Sequence, residues 1–268
     1  MNTNILIRGG GDLASGLAAR LHRVGFKILI TELAQPLVVR RTVSFAEAVF
    51  SGQTQVEEII AEKANNFLEI EAIHRANKIA VVVDPKMAML SEYKPSILVD
   101  ARMMKQPPNV GLEVAEFVVG LGPGFLAGDN CHAVVETMRG HTLGRVIWQG
   151  KAIEDTGIPD AVEGIRAERV LRAGTRGLLK TFVEIGQHLE KGDLIAEVNS
   201  QKITSPFKGV LRGLMKDGIE VKKGMKIGDV DPRNEDQYIH SISDKALSIG
   251  GGALEAILSQ PQYSIVKR

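Results

Sequence analysis

From residue 4 to about 125, short β-branched runs alternate with stretches whose apolar residues recur at helical spacing. They read NILIR, LASGLAARLHRV, FKILITEL and SFAEAVF, and later IAVVVD, SILVDAR and FVVGLG. This alternation predicts a parallel sheet with helical crossovers. IAVVVD and SILVD are almost continuously apolar, the pattern of strands covered on both faces. After about residue 130 the texture changes to short strands punctuated by glycines at 177, 186, 192, 209, 213, 218, 224 and 228, a cadence that predicts a small all-β sandwich or barrel. Within it VEIGQHLEKGDLIAEV and IEVKKGMKIGDV are similar phrases, suggesting two quasi-equivalent halves. From about Asp236 the helical pattern returns in SDKALSIGGGALEAILSQ. Its triple glycine weakens a helix by about 1 kcal/mol per residue, so close packing against another backbone or a ligand is expected there. The organisation expected is a domain over 1–130, a β-rich domain over 131–235, and a helical segment over 236–268 that packs back on the first domain.

Composition narrows the function classes. With 44% hydrophobic and 24% charged residues, the chain suits a globular protein with one large or two ordinary domains. Cys131 is the one cysteine, which excludes an intramolecular disulfide and a cysteine-rich metal site and fits a reducing cytoplasm. The chain enters a strand-like run at once, without a signal-peptide pattern, and has no apolar stretch of the roughly 20 residues that a membrane helix needs. Lys and Arg number 33 against 32 Asp and Glu, and aromatics are 4%, so neither nucleic acid nor a membrane is an expected partner.

ILIRGGGDLASG, residues 5–16, carries the first candidate chemistry. Gly9, Gly11 and Ala14 fit G-x-G-x-x-G/A between a strand and an alanine-rich helix. Gly9 would permit the tight turn, Gly11 would let the backbone approach a pyrophosphate, and Ala14 would allow close helix packing; Gly10 between them is counted among the candidate binding residues. The N–H groups at Asp12, Leu13 and Ala14 would face anionic charge. Glu32, 23 residues after Gly9, stands where a carboxylate accepts ribose hydroxyls. The alternative is a merely tight strand-to-helix turn, and the Asp12 charge opposes a phosphate.

GLGPGFLAG, residues 120–128, is a second glycine loop, with Gly122 and Gly124 as candidates to border the same crevice. An ordinary turn shaped by Pro123 is the alternative. Asp129, Cys131, His132, Glu136, Arg139, His141 and Arg145 crowd around AVV. As a strand, HAVVE would turn His132 and Glu136 to one face, where with Arg139 and His141 they could contact an anionic pterin-like ligand. A solvated edge strand is the alternative, and the spacing matches no standard zinc signature. Arg40 and Arg41 could clamp phosphate, although in a strand they would point to opposite faces. Cys131 could carry sulfur or selenium, or could simply be packed.

IRGGGDLASGLAARLHRVGF, TELAQPLVVRRTVSFAEAVFSG, GLGPGFLAGDNCHAVVETMRGHTLGRVI, ITSPFKGVLRGL and VKKGMKIGDVDPR resemble the YqeB family of selenium-dependent molybdenum hydroxylase accessory proteins. The resemblance implies a factor for maturing or inserting a selenium-modified molybdenum cofactor into a hydroxylase. It implies hydroxylase or cofactor-maturation proteins as partners and carries no catalytic residues over. Residues 175–230, with EKGDLIAEV and SPFKGVLRG, resemble a biotinyl/lipoyl-type barrel-sandwich domain. The hairpin NSQKIT is short and Lys202 lacks the flanking residues of either carrier motif, so a rigid scaffold or docking module is expected rather than a swinging arm.

The fold class expected is therefore α/β: a Rossmann-like parallel sheet domain plus a β-rich, biotinyl/lipoyl-like barrel-sandwich domain. The function expected is cofactor maturation, with a phosphate-bearing ligand at the first glycine loop: an NAD-like dinucleotide or a molybdopterin nucleotide. No metal site is expected, and a homo-oligomer is compatible with the sequence. The rival is an NAD-dependent oxidoreductase, for which His132 or His141 would have to move the proton.

Overall fold

In the computed structural model the described residues are 3–108, 111–155, 157, 162–165 and 167–264; the last four residues of the expected C-terminal segment lie outside them. The chain divides into two units. Unit 1 takes Met1–Pro36, Phe45–Thr156 and Ile242–Arg268; unit 2 takes Leu37–Ser44 and Gly157–Ser241.

Unit 1 is built on the apolar runs legible in the sequence. Its strands are β1 (Asn4–Arg8), β2 (Lys27–Glu32), β3 (Gln53–Val56), β4 (Ile59–Ala64), β5 (Ile79–Val83) and β6 (Ile97–Asp100). They are followed by β7 (Phe117–Leu121), β8 (Leu126–Ala127), β9 (Ala133–Val135), β10 (Val146–Ile147) and β11 (Gly150–Lys151). Nine of them form one sheet in the order β10-β9-β7-β6-β1-β2-β5-β4-β3, and β8 pairs with β11 separately. The centre is parallel, while β3 lies antiparallel to β4 and β10 antiparallel to β9. The helices are α1 (Asp12–Arg23), α2 (Ala48–Ser51), α3 (Phe67–Arg75), α4 (Leu90–Tyr93) and, at the other end of the chain, α5 (Gln237–His240) in unit 2 and α6 (Asp244–Leu258) in unit 1.

Strand alternation sorts the core into two layers. Leu6, Leu29, Val82, Leu98, Val118 and Val134 are buried in one cluster with Ile70 and Ile73 of α3. Their neighbours Ile5, Ile7, Ile28, Ile30 and Val135, all fully buried, face the opposite side. There α6 lies against β7, β9 and β10 and also against α1. Gly16 and Gly250 make that helix contact possible: a Cβ on Gly16 would stand 2.6 Å from the Ala246 Cβ, and one on Gly250 would stand 3.0 Å from the Gly16 carbonyl oxygen. Gly252 abuts the Gly144 carbonyl in the same way. Close backbone packing thus explains two of the three consecutive glycines.

Unit 2 holds β12 (Val170–Arg172), β13 (Gly177–Thr181), β14 (His188–Leu189), β15 (Leu194–Val198), β16 (Gln201–Thr204), β17 (Gly209–Leu214), β18 (Glu220–Val221) and β19 (Lys226–Asp231). Two four-stranded sheets result, β12-β19-β17-β14 and β16-β15-β13-β18, with antiparallel pairings. The two similar phrases fold alike: β14 and β18 each lead through a glycine turn, Gly192 (φ 95°) or Gly224 (φ 82°), into β15 or β19 of the other sheet.

These findings correct the expected fold class. The protein is α/β with one large mixed sheet, not a Rossmann-like parallel domain joined to a barrel-sandwich domain. QTQVEEIIAEKA, to which no strand was assigned, forms the hairpin β3–β4, whose turn residue Glu57 takes φ 53°. So short a connection can only reverse the chain, which makes that edge antiparallel. β9 and β10, which lie within the span expected for the β-rich domain, extend the large sheet instead, and the β-rich unit is discontinuous: Leu214 N–H donates to the Val39 carbonyl (2.8 Å), stitching 37–44 onto β17.

Candidate functional site

The carboxyl ends of the parallel strands carry buried acids, and backbone N–H groups gather on them. Glu32, closing β2, accepts from Gly10 N–H (2.7 Å) and Leu33 N–H (2.8 Å). Asp84, after β5, accepts from Ala88 (2.8 Å) and Met89 (2.9 Å). Asp100 closes β6 and Glu136 follows β9; Glu136 accepts from Thr137 and Met138 (2.7 Å each) and from Ile153 (2.8 Å). A loop leaving a strand exposes donors that the ladder no longer satisfies, and one carboxylate can accept several of them. Burial pushes the Glu32 carboxyl above the usual range, against the opposing pull of the Gly10 and Leu33 amides.

Around the first glycine loop, Gly9 adopts φ 88°, which requires glycine, and donates its N–H to the Thr31 carbonyl (2.8 Å). Gly10 is glycine because a Cβ there would stand 2.9 Å from the Ala46 nitrogen and 3.1 Å from Ile30. Ala46 N–H donates to the Gly10 carbonyl (2.9 Å), and Phe45 N–H donates to the Ser15 hydroxyl (2.8 Å). One side of the loop is therefore covered by 45–46. Gly11 is the N-cap of α1, no side chain caps that helix start among the described residues, and the first helical bond runs from Ser15 N–H to the Gly11 carbonyl. The amides of Asp12, Leu13 and Ala14 precede it and have no acceptor within the helix.

Arg8, at the end of β1, is buried and sits 3.2 Å from the fully buried Asp100. Arg102 donates to both oxygens of that aspartate (2.9 and 2.6 Å). Its Cγ lies 3.3 Å from the position a Gly9 Cβ would take. Two guanidinium groups thus share one carboxylate beside Gly9, and Arg102 Nη1 has no partner among the described residues. Sequence reasoning missed this cluster, because only the β1–β6 pairing brings Arg8 to Asp100 across 92 residues. The signal was present in the charged residues that close the apolar runs NILIR and SILVDAR.

The second glycine loop is shaped by packing. Gly122 has φ 86°, and a Cβ on Gly124 would meet the Met104 carbonyl oxygen at 2.4 Å. Pro123 and Gly124 border a cleft of about 510 Å³ together with Lys105, Asp129, Lys151 and Glu154. Its lysines are engaged, Lys105 with Asp155 (2.5 Å) and Lys151 with Glu154 (2.8 Å).

The other candidate residues each have local partners or positions of their own. Arg40 and Arg41 belong to unit 2, where Arg40 donates to the Tyr238 carbonyl (2.9 Å) and Arg41 to that of Leu214 (2.9 Å). His132 Nδ1 accepts from Val118 N–H (2.9 Å), which ties β7 to the start of β9, and burial keeps its pKa low. Glu136 points inward to backbone amides. Arg139 forms a bidentate pair with Asp244 (2.7 and 2.8 Å) at the start of α6, and His141 is exposed on a loop. Cys131 is fully buried with its thiol pushed up to about 12, first by burial, so it is no ready thiolate. Lys202 lies within β16 rather than at the hairpin tip, which Asn199 and Ser200 occupy with φ 47° and 63°. Among the described residues no acidic, histidine or cysteine cluster could hold a metal ion, and no helix is long and apolar enough to cross a membrane.

No protein-family model matches the chain. The uncharacterized protein YqeB of Escherichia coli (strain K12) is 45% identical over 254 residues, 95% of this chain. This chain is similar to that protein over nearly its whole length. It spans about half of that relative, 47% of its length. Among solved structures, an aspartoacylase family protein from Mesorhizobium loti aligns over 86% of this chain and 85% of its own, at 9% identity and a TM-score of 0.26. The ectoine utilization protein EutE (DoeB) from Ruegeria pomeroyi aligns over 85% of both chains, at 13% identity and a TM-score of 0.28. At such TM-scores these alignments carry no inference about fold or activity.

Proposed function

We propose that unit 1 binds a phosphate-bearing small molecule at the carboxyl edge of β1 and β6, beside Gly9–Ala14. In this reading the chain is a cytoplasmic accessory protein that helps mature or insert a selenium-dependent molybdenum cofactor into a hydroxylase. The ligand is a molybdopterin nucleotide or an NAD-like dinucleotide, and the partners are the hydroxylase or cofactor-maturation proteins. The similarity to YqeB and the phrases that resemble its family support the assignment.

One observation carries the ligand reading: Arg8 and Arg102 share a single carboxylate next to Gly9. They do so where the parallel strands turn outward, β1 having β2 on one side and β6 on the other. Open α/β sheets bind ligands outside the carboxyl ends of their strands at such a reversal. A guanidinium that reaches solvent near the first-turn amides of α1 favours an oxyanion there. Arg102 is the group that reaches solvent, with its side chain 28% exposed.

Nothing in the site favours the oxidoreductase reading. Glu32 turns its oxygens to Gly10 and Leu33, and His132 accepts a backbone N–H, so neither is placed as that reading requires.

Thermal melting with NAD+, a pterin phosphate and a molybdopterin nucleotide tests the proposal. A ligand at 100 times its Kd stabilises by about 2.7 kcal/mol. A raised midpoint in the wild type that Arg102→Gln loses is the expected result. No shift with any of the three removes the reading.

A further inference from the structure

The first glycine loop is closed on the side of β2. Both oxygens of Glu32 are taken, one by Gly10 N–H and the other by Leu33 N–H. Phe45 and Ala46, both fully buried, are fastened over the loop, Phe45 N–H to the Ser15 hydroxyl and Ala46 N–H to the Gly10 carbonyl. A Cβ on Gly10 would stand 2.9 Å from the Ala46 nitrogen, so no ligand group fits between them. A phosphate held beside Gly9 by Arg102 therefore has the ends of β6 and β7 left for the rest of its molecule.

The chain leaving β6 leads that way along the second glycine loop. Measured from where a Cβ would stand, Gly9 has Arg102 Cγ at 3.3 Å, Gly122 has Met103 Cε at 3.4 Å, and Gly124 has the carbonyl oxygens of Met104 and Gln106 against it. Met103 makes this path with φ 57°, a left-handed conformation that is costly for a bulky side chain. At Gly124 the path reaches the cleft of about 510 Å³ that Lys105, Gln106, Pro123, Gly124, Leu126 and Asp129 help to line. Three residue steps from Arg102 to Lys105 span at most about 11 Å, a distance that a nucleotide-sized molecule bridges.

Unpartnered polar groups mark the same path. Thr137 is 5% exposed, its Oγ1 lies 3.0 Å from the Cβ position of Gly122, and this hydroxyl makes no hydrogen bond among the described residues. In the cleft, the Gln106 amide and the Asp129 carboxylate have no hydrogen bond or ion pair among the described residues, while Pro123 and the 41% exposed Leu126 supply apolar wall. Small-molecule sites combine apolar walls with a few polar groups in volumes of about 300–1,000 Å³.

We infer that this cleft takes the ring portion of the ligand whose phosphate sits beside Gly9–Ala14, so that the second glycine loop, and not the end of β2, selects the ligand. The inference rests on the reading of unit 1 as a phosphate site. The apolar walls meet the faces of a heteroaromatic ring, and the amide and carboxylate meet its polar edge.

Two exposed leucines test it: Leu126 lines the cleft, and Leu33, 43% exposed, follows β2. The full chain is titrated calorimetrically with NAD+, the pterin phosphate and the molybdopterin nucleotide, and in parallel with inorganic phosphate. Leu126→Trp narrows the cleft and is expected to weaken each ligand that binds the wild type by about tenfold or more, while inorganic phosphate changes by less than about twofold. Leu33→Trp is expected to leave every titration as in the wild type. If Leu126→Trp does not fold, Gln106→Trp, exposed on the same cleft, gives the readout. If neither phosphate nor any of the ligands binds the wild type, the reading of unit 1 falls and this inference with it. If ligands bind, the inference alone is overturned by a folded cleft variant that binds them as the wild type does or loses phosphate in equal measure, or by Leu33→Trp weakening them as much.

Discussion

Glu32 illustrates how a residue type read correctly can be turned to another use. A carboxylate at the end of the second strand is legible in the sequence, but its orientation depends on Gly10, 22 residues away, whose N–H it accepts. Its pKa is raised, first by burial. The native state therefore binds a proton more readily than the unfolded chain, so stability is greatest below the usual carboxylate value and is lost as pH rises through the folded value. Glu32→Gln removes this titration. Melting curves of wild type and variant across the acid range are expected to show the wild type gaining on the variant as pH falls from neutrality. Parallel pH profiles for the two proteins would contradict the assignment. Arg8, Asp100 and Arg102 make the complementary case: each was visible as a charge at the end of an apolar run, but their convergence follows from strand pairing alone.

Among the elements, helices α1 and α6 carry the most specific packing. Apolar periodicity predicts both, and the run Gly250–Gly252 signals close approach without saying which glycine makes it. Gly250 meets the backbone of Gly16 and Leu17, and Gly252 meets the Gly144 carbonyl, whereas the nearest atom to a Cβ on Gly251 is Arg20 Nε at 3.9 Å. Gly251→Ala is therefore expected to stabilise by about 0.5–1 kcal/mol through helix propensity. Gly16→Ala and Gly250→Ala are expected to destabilise by about 1–3 kcal/mol through overpacking. Chemical denaturation of the three variants checks the contrast in sign. The hairpin β3–β4 is the element that the sequence concealed: QTQVEEIIAEKA lacks the strong apolar alternation and the Asn-Gly or Asp-Gly turn that mark such structures.

For the whole molecule, chain continuity misleads about the units. Residues 37–44 follow the second strand directly but belong with 157–241, where the Val39 carbonyl accepts from Leu214 N–H and the Val39 backbone fills the space beside Gly213. A fragment of residues 157–241 is accordingly expected to melt lower alone than with a peptide covering 37–44 added in excess, because a ligand of the native state stabilises it by mass action. Equal midpoints with and without the peptide would show that unit 2 does not need the segment.

Local pattern determined much of this protein. It marked the apolar runs of the parallel strands, the helices at both ends, the turn-punctuated strands of the second half with their two similar phrases, and the glycines that some backbone had to approach. These features follow from periodicity and from backbone freedom at single residues, which are local quantities. Tertiary structure alone decided that the large sheet is mixed, that the β-rich unit borrows eight residues from the first half, and that Glu32 and Glu136 face loop amides. It also decided that arginines distant in sequence converge around Asp100. The physical reason is that a buried charge takes its meaning from its partners, and partners are chosen by strand pairing, which spacing along the chain does not encode.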